Sequence, residues 1–99
     1  MKEYYVYIMT NSLKTVLYTG VTGELTTRVA QHKSNDYGAS AFTARYAVHY
    51  LVHYEIFGDI NDAIAREKQI KGLTRAKKEQ LISATNPSWR FLCEGMFDI

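Results

Sequence analysis

Two short runs of β-forming residues, Tyr4–Met9 and Val16–Val21, flank a polar segment opened by Thr10, Asn11 and Ser12, and this limits the possible folds more than any other feature. Both runs alternate tyrosine, valine, isoleucine and threonine in a way that suits a pleated strand, and their close spacing makes an antiparallel hairpin the simplest pairing. If the turn occupies Thr10 to Thr15, Met9 faces Val16, Tyr7 faces Tyr18 and Tyr5 faces Gly20. Side chains alternate between the faces of a strand, so the phenols of Tyr7 and Tyr18 share one face. Val6 and Ile8 then share the other with Leu17, Thr19 and Val21. A slip of two residues in this register would keep both tyrosines on their face.

Beyond the hairpin the hydrophobic period changes to that of a helix. Thr22 can cap a helix running from about Glu24 to Lys33, with Leu25, Val29 and Ala30 as its apolar stripe. Arg28 and His32, four residues apart, fall on one face beside that stripe and can meet a cleft while Leu25 and Val29 reach the core. Ser34–Ser40 reads as a loop. Ala47–Ile56 returns to the strand pattern, with Val48, Tyr50, Val52, Tyr54 and Ile56 expected on one face. Asp59 or Asn61 would cap a second helix that carries Glu67 at its middle and stops at Gly72. A third runs from Thr74 to about Ala84, ending before Asn86 and Pro87. The fold expected is a small α/β (α+β) domain, a three-stranded, mostly antiparallel sheet flanked by three helices.

At 99 residues and 46% hydrophobic, the chain suits one domain spanning 1–99 and is too short for two ordinary cores. The lone Cys93 cannot form an internal disulfide, which favours a reducing compartment, and the N-terminal apolar run is too brief for a membrane span or signal sequence. A cytoplasmic protein without a membrane partner is expected. The net charge is only +2, but Arg66, Lys68, Lys71, Arg75, Lys77 and Lys78 lie close together against the single acid Glu67. Such a run makes either a solvated helix face or a surface for a polyanion.

The tripeptides Tyr5-Val6-Tyr7 and Tyr18-Thr19-Gly20 resemble the two that name the GIY-YIG nucleases, and the order of the downstream residues also fits. The chain is most similar to the short, stand-alone bacterial members of that family. It shares the look of their YYVYIM (Tyr4–Met9), LYTGVT (Leu17–Thr22) and RVAQHK (Arg28–Lys33) segments, and then of EKQIKGL (Glu67–Leu73), RAKK (Arg75–Lys78) and NP-x-W (Asn86–Trp89). The likeness therefore covers nearly the whole chain and implies the GIY-YIG endonuclease fold. The chain has Tyr5 where the name has glycine and Thr19 at the centre of the second tripeptide. Phe91 stands where the short relatives usually carry an acid, which weakens any role of the tail.

The resemblance implies metal-dependent hydrolysis of DNA phosphodiester bonds, structure-selective and of use in repair or recombination, with Tyr7, Tyr18, Arg28, His32 and Glu67 as the catalytic set. Such chemistry needs a nucleophilic water and neutralisation of the phosphoryl oxygens. Glu67 would be the carboxylate ligand of one Mg2+ or Mn2+, hard cations that keep several waters. Arg28 offers a planar fork to phosphate, Tyr18 would orient water or phosphate, and His32 would relay a proton or bind phosphate. Tyr7 is the implied general base, although a phenol with a pKa of about 10 needs Arg28 and the metal to lower it. Gly20 has a steric part, leaving room for close approach. Lys33, Arg45, Lys68, Lys71, Arg75, Lys77, Lys78 and Asn86 are candidate nucleic-acid contacts, with DNA the expected partner and RNA an alternative.

Each residue also has a plainer reading: core packing for the tyrosines, surface pairing for Glu67 and Arg28, an idle helical side chain for His32, and a turn starter or helix brace for Asn86. The rival function is a nucleic-acid-binding module that keeps the fold without cutting. A third use, homodimer formation through Trp89–Ile99, is compatible with either. His49 and His53 do not make a plausible zinc pair, because four residues of strand separate them by about 13 Å at ~3.3 Å per residue.

Overall fold

The computed structural model describes residues 2–34 and 47–92, with the backbone alone for 31–34. The loop expected beyond Ser34, Arg45, and the tail from Cys93 onward with its expected dimer contact lie outside the described residues. The elements are β1 (Tyr4–Thr10), β2 (Leu17–Thr22), α1 (Leu25–Ser34), β3 (Tyr50–Phe57), α2 (Ile60–Lys71) and α3 (Arg75–Thr85). The strands form one antiparallel sheet in the order β2-β1-β3.

Because β1 is the central strand and both faces of the sheet are covered, Val6, Tyr7, Ile8 and Met9 are all buried. This explains the uninterrupted apolar run, which a strand with one wet face would lack. Val6 and Ile8 pack with Val52 and with Ala63, Ile70 and Ile82 of α2 and α3. Tyr7 and Met9 pack on the opposite face with Leu25 and Val29 of α1 and with Val48 and Leu51. Full burial of side chains such as Val6, Ile8 and Met9 stabilises the fold by roughly 1.5–3 kcal/mol each.

The hairpin register is two residues away from the simplest expectation: Tyr7 lies opposite Gly20, Met9 opposite Tyr18 and Thr10 opposite Leu17. Polar side chains in the turn cause the shift. The Thr10 hydroxyl donates to the Val16 carbonyl at 2.7 Å, which keeps Thr10 in the strand. Asn11 then organises the loop. Its Oδ1 accepts from the Thr15 and Val16 amides at 2.8 and 3.1 Å, and its Nδ2 donates to Thr15 Oγ1. A slip of two preserves faces, so Tyr7 and Tyr18 remain together.

A second departure lies in β3. Ile8 pairs with His53 and Met9 with Leu51, so Val52 is an extra residue on β3. Such a bulge breaks the alternation. Val48 and Val52, expected on one face, therefore belong to opposite cores, while Tyr54 and Ile56 are exposed.

The helix ends follow local chemistry. Asp59 caps α2 by accepting from the Asn61 amide at 2.7 Å, Thr74 caps α3 by accepting from the Lys77 amide, and the Gly72 amide closes α2 onto the Lys68 carbonyl. Ahead of α1 the Thr22 hydroxyl accepts from the Glu24 amide at 3.0 Å. After α3 the chain turns back, and Leu92 bridges to Leu51 at the edge of β3. Among the described residues no helix is long and apolar enough to cross a membrane.

Candidate active site

Tyr7 is the centre of the site. Its side chain is 2% exposed, and its ring lies over Gly20 on the neighbouring strand. A Cβ built on Gly20 would collide with the Tyr7 hydroxyl and stand 2.5 Å from the ring carbon Cζ. Glycine is thus required by the close approach of the phenol. Since β2 is an edge strand, this path carries the hydroxyl toward the sheet margin.

Three of the expected partners gather there. Tyr18 lies on the same face with its ring centroid 6.4 Å from that of Tyr7, tilted by 44°. Arg28 comes from α1, next to Leu25 and Val29, which anchor that helix on this face. Glu67 comes from α2, which packs across β1 and β2 on the other face. Its side chain is 16% exposed and 3.6 Å from the Lys71 ammonium. Both charges act on the Tyr7 phenol, Arg28 stabilising its ionised form and Glu67 opposing it. The side chains of His32 and Lys33 lie outside the described residues.

The protonation state of Tyr7 differs from what a resting general base needs. Burial is the largest influence and pushes the phenol far above its usual value; Tyr18 and Glu67 push the same way, and the opposing effect of Arg28 is outweighed. Burial thus makes the Tyr7 phenol harder to ionise than a free tyrosine, already neutral at physiological pH. In that state the hydroxyl can donate a hydrogen bond but must lose its proton before it can act as a base.

A group of three or more His, Cys, Asp or Glu side chains that could hold a metal does not occur among the described residues. A single half-sheltered carboxylate is nonetheless what a hydrated hard cation such as Mg2+ or Mn2+ uses, since these ions retain waters and take few protein ligands. Glu67 fits that part.

The basic run is less free than its composition suggested. Arg66 is held by both oxygens of Glu55, at 2.8 and 3.2 Å, and by Gln69. Arg75 donates to Glu79 and to the carbonyls of Lys14 and Thr15, so it braces the β1–β2 turn. Within this run Lys68, Lys77 and Lys78 are the remaining cations, Lys71 lying 3.6 Å from Glu67. Asn86 is 7% exposed, donates from Nδ2 to the carbonyls of Val52 and Arg90, and accepts the Arg90 amide on Oδ1. With both amide protons and the oxygen engaged inside the fold, it clips β3 to the chain after α3, the bracing role among its sequence readings.

One group went unread in the sequence. His53, 3% exposed, has Nε2 2.8 Å from Glu55 and Nδ1 3.2 Å from Thr85 Oγ1, so His53, Glu55 and Arg66 form a continuous polar network beneath α2 and α3. The signal available was the spacing His53-x-Glu55, which puts both on one strand face.

Residues 3–80 match the model of the family described as the GIY-YIG catalytic domain. The chain belongs to the GIY-YIG family. It is 44% identical over 82 residues to a UPF0213 protein of Syntrophus aciditrophicus, covering 83% of this chain and 92% of that one. With a UPF0213 protein of Natronomonas pharaonis the identity is 42% over 81 residues, covering 82% and 92%. The solution structure of the UPF0213 protein BH0048 of Bacillus halodurans superposes with a TM-score of 0.55 at 32% identity, over 88% of this chain and 89% of that one. This GIY-YIG chain thus has the fold of a nuclease family, and its two name-giving tripeptides are the segments that cross at Tyr7 and Gly20.

Proposed function

We propose that this GIY-YIG domain is a metal-dependent endonuclease that hydrolyses DNA phosphodiester bonds, selecting structure over sequence. The observation that carries this reading is the convergence of Tyr7, Tyr18, Arg28 and Glu67, drawn from two strands and two helices on opposite sides of the sheet. Arg28 binds a non-bridging phosphate oxygen through its guanidinium fork. Tyr18 orients the incoming water, and Tyr7 donates a hydrogen bond that fixes the phosphate against the sheet margin. Glu67 holds Mg2+ or Mn2+, which would neutralise charge on the phosphoryl oxygens and favour ionisation of a nearby hydroxyl or water. Lys68, Lys71, Lys77 and Lys78 contact backbone phosphates, contributing affinity without sequence information. Structure-selective cutting of this kind suits repair or recombination, and RNA is the alternative substrate.

The test is nicking of supercoiled plasmid and of branched and single-stranded oligonucleotides with Mg2+ or Mn2+. Glu67→Ala and Arg28→Ala are each expected to lower the rate by about 100-fold or more, the scale of losing a group that stabilises transition-state charge. The competing outcome is a binding module without turnover. Equal DNA binding by the wild type and both variants, with no cleavage of any substrate, would establish the module and sink the nuclease.

A further inference from the structure

Glu67 and Arg66 are neighbours on α2 and flank its buried stripe on either side. At about 100° per residue, with Ala63 and Ile70 directed into the sheet, Arg66 and Glu67 project at roughly 50° on either side of the buried stripe. Arg66 reaches over the β3 side, where Glu55 takes its guanidinium at two points. Glu67 reaches the β2 side, where Tyr7 lies over Gly20. The helix is therefore pinned on one flank and carries its functional carboxylate on the other.

The pin is itself anchored. Glu55 also takes the buried His53 on Oε2, and His53 meets Thr85, the last residue of α3. Of the two buried side chains of α2, Ala63 allows close approach to the sheet and Ile70 fills the core, while the polar fixing of the helix on the β3 flank comes from Arg66. A roll of α2 by 10° would move a carboxylate about 6 Å from the axis by about 1 Å, beyond the tolerance of roughly 0.5 Å for a working site. A bidentate guanidinium–carboxylate pair resists that roll because it fixes direction as well as distance.

Resting on the nuclease reading above, we propose that Arg66 and Glu55, backed by His53, are positioning residues that set the roll of α2 and thereby place the Glu67 carboxylate for its metal ion. Neither residue touches the ion or the phosphate. Their effect passes through the helix.

The experiment measures Mn2+ binding to the full chain by electron paramagnetic resonance of the free ion, with urea unfolding on the same samples. Arg66→Lys keeps the charge and loses the fork; Glu55→Gln keeps the shape and loses the charge. Both are expected to weaken Mn2+ binding about tenfold, on the scale by which supporting residues tune metal affinity. Ile82→Val, a core change in α3, is expected to lower stability while leaving the Mn2+ constant unchanged, which separates positioning from general loosening. Glu67→Gln is expected to abolish the site. Wild-type Mn2+ affinity in both Arg66→Lys and Glu55→Gln, with loss in Glu67→Gln, would overturn the positioning role and leave the nuclease reading standing. Mn2+ binding that survives Glu67→Gln would overturn both. If the ion binds at Glu67 and weakens in the two variants but no DNA is cut, the positioning role is upheld and the nuclease reading fails by itself.

Discussion

At the scale of single residues, the closest constraint is between Tyr7 and Gly20. Gly20→Ala places a methyl group where the phenol lies, and the buried ring has no open side to retreat to. The expected loss is about 1–3 kcal/mol in urea unfolding, the usual range for overpacking. In a Tyr7→Leu background the same glycine change should cost less, because the ring it strikes is gone; equal losses in the two backgrounds would refute the contact. Tyr7 also carries a pH signature. Its folded pKa is raised above the usual 10.0, so the neutral phenol is favoured by folding. That contribution is fully present below pH 10 and is lost as pH rises above it toward the folded value. Wild-type stability should therefore fall more steeply than that of Tyr7→Phe between neutral and strongly alkaline pH. Parallel curves would mean that the phenol is not buried as described.

At the scale of elements, the way α3 is joined to the sheet matters most. Asn86 ends α3, bonds the Val52 carbonyl of β3 and holds the turn at Arg90, all from one buried amide. Asn86→Ala would leave those backbone groups without partners, costing about 1–3 kcal/mol. For a domain of this size that corresponds to a melting temperature lower by very roughly 5–20 °C, which calorimetry would show. Since Asn86 touches no substrate in this reading, DNA affinity measured well below the melting range should stay at the wild-type value. A selective loss of binding without loss of stability would return Asn86 to the nucleic-acid surface. The β1–β2 turn follows the same logic: Asn11 shapes it from within, and Arg75 ties it to the start of α3.

At the scale of the whole molecule, charge decides how the domain meets a polyanion. With Arg66 and Arg75 engaged in structural pairs and Lys71 beside Glu67, the basic run from Arg66 to Lys78 offers a polyanion chiefly Lys68, Lys77 and Lys78. Lys77→Ala and Lys78→Ala should each weaken DNA binding by a similar factor on every sequence. Each should also flatten the slope of log affinity against log salt by about 1. Fluorescence anisotropy over a salt series checks this, and an unchanged slope in the double variant would place the DNA elsewhere. Neither change should affect stability much, because both side chains are in contact with solvent.

How much of this was legible beforehand depends on how far apart in the chain the deciding groups lie. The strands, the start of α2 at Asp59 or Asn61, the start of α3 near Thr74, and the shared face of Tyr7 and Tyr18 were readable because period and capping are set within a few residues; the structure chose Asp59 and made Thr74 the cap. The family resemblance, through the order of the residues downstream of the tripeptides, proposed Arg28 and Glu67 for one site, a link that no local pattern could have made. Tertiary structure alone decided the rest. The bulge at Val52 turns on the competing demands of two cores, and the upward shift of the Tyr7 phenol on its burial between α1 and β2. The inward use of Arg66, Arg75 and Asn86 depends on partners between 11 and 61 residues away or at the far end of a turn. A sequence states each residue's chemistry and its local period; the partner that uses that chemistry is chosen only when distant segments close on one another.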